Sequence, residues 1–99
     1  MQVHRIYVAH STEYGTHQEL LVASMDAECL HEAGGFTRWE AVGGWQPPGG
    51  KAEVEPCTVW EVVGCTQYGA LLLGAFAAKL YDQEKVLVVS CHAQWELVP

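Results

Sequence analysis

The stretch FTRWEAVGGWQPPGGKAEVEPCTVWEVVGC, residues 36–65, decides the fold. Phe36 to Gly43 reads as one strand and Cys57 to Cys65 as another, because β-branched and aromatic side chains suit a pleated surface. Between them, Gly43-Gly44, Pro47-Pro48, Gly49-Gly50 and Pro56 punctuate a long turn. Strand-like sequence resumes directly after it, so Gly43 to Pro56 is a turn inside one domain and not a linker. The two strands form an antiparallel hairpin.

A strand and a helix flank the hairpin on each side. Upstream, Gln2 to His10 interleaves Val3, Ile6, Tyr7 and Val8 with polar residues, as a strand does. Thr16 followed by Glu19 makes a capping box, and Leu21, Val22, Met25 and Cys29 then fall on one helical stripe that Gly34-Gly35 stops. Downstream, Thr66 caps a helix from Gln67 to about Asp82, with Leu72, Phe76 and Leu80 as its expected buried stripe. Lys85 to Cys91 (KVLVVSC) is the strongest strand, and Gln94 to Val98 extends it or adds an edge piece. The order is β-α-β-β-α-β. Right-handed crossovers joined by a hairpin give an α+β, ferredoxin-like sandwich: a four-stranded antiparallel sheet in the order 4-1-3-2 with both helices on one face.

Composition bounds the function. The 99 residues suffice for a single domain, and 49% hydrophobic with 17% charged content excludes a disordered chain. The formal net charge of -7 argues against a nucleic-acid binder and against docking on an anionic membrane. The longest apolar run, Tyr68 to Leu80, contains Lys79 and is shorter than the roughly twenty residues of a membrane span. No continuous apolar run occupies the first ten residues, so no secretory leader is expected and a cytoplasmic location is. In that reducing compartment Cys29, Cys57, Cys65 and Cys91 are expected as free thiols.

The sheet face without helices is the expected working surface. With Ile6, Val8, Trp60 and Val62 turned to the helices, period-2 alternation turns Arg5, Tyr7, Val59, Glu61 and Val63 outward. Assigning the charged set of the second strand to the same side adds Arg38 and Glu40 and puts Trp39 with Trp60 in the core. Glu61 then lies between Arg5 and Arg38. Trp45, in the turn, either packs on its own sheet or meets a partner. Arg5, Tyr7, Arg38, Trp45 and Glu61 are the candidate binding residues.

Motifs for chemistry are sparse. Cys29-x-His31 and Cys91-His92 lack the spacing of a zinc site, so neither a metal nor a cofactor is expected. There is no nucleophile elbow or phosphate loop, and Glu53 and Glu55 read as solvated turn residues, so no catalytic residue is assigned. Among carboxylates, Glu61 alone has a predicted setting that would shift its pKa.

GGFTRWEAVGGWQPPGGKAEVEPCTVWEVV, followed by a helix and YDQEKVLVV, resembles a family of small phage and bacterial proteins with no assigned activity. The matching positions are Gly34 to Thr37, Gly43 to Trp45, Glu55-Pro56 with Val59, and Gln83-Glu84 with Val86. The resemblance covers the C-terminal two-thirds of the chain and implies a phage or mobile-element origin with a ferredoxin-like fold. Cys57 and Cys65 depart from the family pattern.

Three functions follow as expectations. The first is a non-catalytic accessory protein that pairs through its open sheet face as a homo-oligomer, expected to be a dimer. The second is a small-molecule binder that sequesters a nucleotide-like signal, with arginines pairing charge and aromatics stacking. The third is an isomerase or monooxygenase of the dimeric α+β barrel type, with Glu61 or a histidine as base.

Overall fold

Six elements follow one another in the expected order in the computed structural model, which describes residues 2–10, 17–94, 96 and 98–99. They are β1 (Gln2–Ala9), α1 (His17–Ala33), β2 (Thr37–Trp45), β3 (Glu53–Val63), α2 (Gln67–Leu80) and β4 (Leu87–His92). The strands form one antiparallel sheet in the order β2-β3-β1-β4. This is the ferredoxin-like sandwich.

The central ladder sets which residues share a face. Ile6 lies opposite Trp60 and Val8 opposite Thr58, while Arg5 lies opposite Glu61 and Tyr7 opposite Val59. Ile6, Val8, Trp60 and Val62 face the helices and are fully buried with Met25, Cys29, Ala77 and Tyr81. Two caps close the helices. The Gly69 amide donates to Thr66 Oγ1 at 3.1 Å, and Gly34, at φ +79°, sends its amide back to the Leu30 carbonyl at 2.9 Å. Thr16, the expected cap of α1, lies outside the described residues, as does Trp95 within the expected extension of the last strand.

His4 is a buried polar tie. Its Nε2–H donates to the Cys65 carbonyl at 3.1 Å, which leaves Nδ1 to accept from the Ser90 hydroxyl at 2.7 Å. One ring thereby links β1, β4 and the turn that starts α2. Both nitrogens are satisfied, as a buried imidazole requires.

Three expectations about boundaries and faces need correction. The hairpin strands run further than their glycines suggested: β2 continues through Gly43-Gly44 to Trp45, and β3 starts at Glu53, leaving only residues 46–52 as the turn. The ladder of β2 with β3 therefore extends past the end of β1, and residues 43–45 and 53–55 form an overhanging arm. On α2 the buried stripe is Gly69, Ala70, Leu73, Gly74 and Ala77. Leu72 is exposed, and Phe76 and Leu80 pack only at the core's margin. The helix is apolar nearly all round, so close approach to the sheet selects the face with the smallest residues. Described residues 94, 96 and 98 are not strand, so β4 ends at His92.

Gly74 marks that approach. A Cβ at this position would meet Val88 Cγ2 at 2.7 Å. Gly74→Ala is expected to cost about 1–3 kcal/mol in chemical denaturation. Adding Val88→Ala should recover part of that loss, because the two sites share one contact.

Candidate functional site

On the open face, β1 and β3 bring Arg5 and Glu61 side by side. Arg5 Nε donates to Glu61 Oε2 at 2.8 Å, with the arginine side chain about half exposed. The Glu61 carboxylate, and after it the Tyr7 side chain, raises the pKa of the Arg5 guanidinium. The charge on Arg5 is therefore permanent. Beside the pair, Gly35, Phe36, Thr37, Glu61 and Val63 line a shallow groove of about 170 Å³.

Aromatic and aliphatic side chains surround this polar centre. Trp39, Val59, Tyr7 and Leu87 lie in one row across the four strands, and Thr37, Glu61, Arg5 and Val89 in the next. Trp39, Leu87 and Val89 are exposed at 39%, 61% and 40%. Val59 is fully buried and not left wet as expected. Trp39 is thus an open-face residue and not part of the core with Trp60.

Arg38 is not on this face. It lies opposite Trp60 in the ladder, so it points to the helix side, where its Nε reaches both carboxylate oxygens of Asp26 at 3.0 and 3.2 Å. The Trp60 indole Nε1–H donates to the same Asp26 Oδ1 at 2.8 Å. Glu40 follows Arg38 to the helix side and accepts from Thr58 Oγ1 at 3.0 and 3.1 Å, with His10 Nε2 at 3.4 Å. Burial, then the Glu40 and Asp26 charges, pushes the nearby Tyr81 phenol up to about 12.

Sequence reasoning missed Asp26. Its signal was present: Asp26 follows Val22 by four residues and precedes Cys29 by three, which sets a carboxylate on the apolar stripe of α1. An acid placed there requires a donor from the sheet.

Trp45 shares the open side with Trp39 and is 57% exposed. It stands eight residues along β2 from Thr37, about 26 Å at ordinary strand rise. Within one chain it does not join the Arg5–Glu61 centre. The structure therefore unites Arg5, Tyr7 and Glu61, and separates Arg38 and Trp45 from them.

Other chemistry is limited. Cys29, Cys57, Cys65 and Cys91 are free thiols, and burial pushes the Cys29 thiol up to about 12, which makes it unreactive near neutrality. Among the described residues, no three of His, Cys, Asp and Glu gather as a metal centre. No helix among them is long and apolar enough to cross a membrane.

Comparison with family models finds no match, and comparison with curated proteins finds none. Solved structures do match over almost the whole chain. A phage SAM lyase in its apo state superposes with a TM-score of 0.66 at 17% identity, covering 97% of this chain and 92% of the other. A phage SAM lyase in complex with S-methyl-5'-thioadenosine gives 0.63 at 14% identity, with the same two coverages. The periplasmic divalent cation tolerance protein CutA from Archaeoglobus fulgidus gives 0.65 at 12% identity, covering 98% and 88%. The likeness is one of fold.

The helix-side clasp and the open-face pair predict opposite outcomes on substitution. Asp26→Ala leaves the buried Trp60 N–H without its acceptor and is expected to cost about 1–3 kcal/mol in denaturant unfolding. Arg5→Ala removes an exposed pair and should leave the unfolding midpoint unchanged.

Proposed function

We propose that this chain works as a homo-oligomer whose open sheet face binds an adenosyl sulfonium nucleoside, S-adenosylmethionine (SAM), and splits it as a lyase. The observation that carries the proposal is the composition of that face: stacking surfaces at Trp39 and Tyr7 next to the joined charges of Arg5 and Glu61. Adenine has a π-face for aromatic stacking. The amino-acid end of SAM carries a carboxylate for the Arg5 guanidinium and an ammonium for Glu61. The sulfonium makes the ligand a net cation, which suits a chain of net charge -7 better than an anionic nucleotide does. The whole-length fold likeness to a phage SAM lyase with S-methyl-5'-thioadenosine bound supports the same ligand class.

The chemistry balances without a co-reactant. The substrate carboxylate attacks its own Cγ, the Cγ–S bond breaks with both electrons going to sulfur, and methylthioadenosine leaves with homoserine lactone as the other product. The face contributes by holding the chain bent so that the carboxylate reaches Cγ, which turns binding energy into orientation. Glu61 anchors the ammonium during this closure.

Oligomerisation accounts for the apolar remainder. Trp39, Leu87 and Val89 would be covered by a second copy, with the nucleoside held between the two faces, and the arm that carries Trp45 reaches beyond its own sheet toward such a neighbour. A phage accessory protein acting in the cytoplasm, where free thiols persist, fits both the residues and the ligand. A second reading, a non-catalytic protein that sequesters the nucleoside, is favoured by the mutual neutralisation of Arg5 and Glu61, which leaves neither as a free acid or base.

Chromatography of SAM incubated with the purified chain, together with calorimetric titration of S-methyl-5'-thioadenosine, tests the proposal. Accumulating methylthioadenosine and lactone, slowed at least about tenfold in Glu61→Gln, is the expected result. Binding without product supports sequestration instead of lysis. Intact SAM with no heat of binding overturns both.

A further inference from the structure

The geometry points to a second small-molecule site on the helix side of the sheet, a cleft that takes the zwitterion of an aliphatic α-amino acid. Gln18, Glu19, Val22, Ala23, Asp26 and Arg38 line this cleft between α1 and β2, and its volume is about 300 Å³. It lies on the opposite side of the sheet from Arg5 and Glu61, so it stands independently of the function proposed above.

Arg38 is presented in an unusual way. It spends only Nε on Asp26, and that carboxylate is itself held by the Trp60 indole. Among the described residues, no partner occupies the two terminal nitrogens of the guanidinium. These make a planar fork that matches a carboxylate with two parallel hydrogen bonds. The ion pair with Asp26 thus orients the arginine while leaving its fork unused.

Glu19 lines the same cleft and supplies a negative charge for an ammonium. Val22 and Ala23 form the apolar wall for a side chain. A simple carboxylate would leave Glu19 unmatched, and a simple amine would leave the Arg38 fork empty. An α-amino acid with an aliphatic side chain meets the fork, the carboxylate and the apolar wall together.

Nuclear magnetic resonance titration of the full chain with L-norleucine, hexanoate and pentylamine tests this directly. L-norleucine is expected to shift the amides of residues 18–26 and of Arg38, and to bind at least about tenfold more tightly than either monofunctional probe. Glu19→Gln removes only the negative charge of an exposed side chain, so it should keep the native spectrum and weaken L-norleucine by about tenfold or more. Equal affinity for all three probes overturns the proposal. So do shifts confined to β1 and β3, an unchanged affinity in Glu19→Gln, or no shift at about 20 mM ligand.

Discussion

The pairing of Ile6 with Trp60 in the central ladder is the constraint from which the rest of the structure follows. Side chains alternate along a strand, so a single register fixes every face assignment on all four strands. With Trp60 turned under the helices, Glu61 has to turn away from them, and Arg5 meets it there. The same register carries across β3 to β2, where it sends Arg38 to the helix side and Trp39 to the open side. A slip of one residue would exchange the two faces and put Trp60 in water.

The indole also organises charge. Trp60 is fully buried, yet its N–H requires an acceptor, and α1 supplies Asp26 from the middle of its apolar stripe. Asp26 in turn requires a cation, and Arg38 is the β2 residue beside Trp60. Three residues from three elements thus form one clasp, which ties α1 to the two strands at the β2 side of the sheet. At the far side, His4 ties β4 to the start of α2 with a second satisfied polar pair. The core is held in register by hydrophobic packing and by these two polar fastenings, each with its partners in place.

The order of elements, the strand order and most of the core were legible in the sequence, because strong periodicity and turn residues marked them. The placement of Arg38 was not. The face of the second strand was chosen by keeping charge out of the core, whereas the register allows a charge on the helix side once Asp26 is there to meet it. The stripe of α2 was equally hidden, since Leu71, Leu72 and Leu73 stand together and hydrophobicity alone selects none of them. Gly74 against Val88 makes that choice through space-filling, which appears only when the helix and β4 are brought together. The arm formed by β2 and β3 is hidden in the sequence for a related reason: Gly43-Gly44 reads as a break locally, yet the ladder passes straight through it. Within the candidate site, Arg5, Tyr7 and Glu61 were recoverable from alternation alone.

The outcome is a domain with one finished face and one unfinished face. Trp39, Leu87 and Val89 lie exposed around an ion pair, and a lone domain has little reason to present them so. The central claim is that a second copy covers this face. Light scattering coupled to size exclusion, run at high micromolar concentration on the wild-type chain and on Trp39→Asp, measures it most directly. A wild-type mass that is a multiple of the single chain, falling toward one chain in the variant, is the predicted result. A wild-type mass of one chain, or a multimer that Trp39→Asp leaves intact, would contradict it.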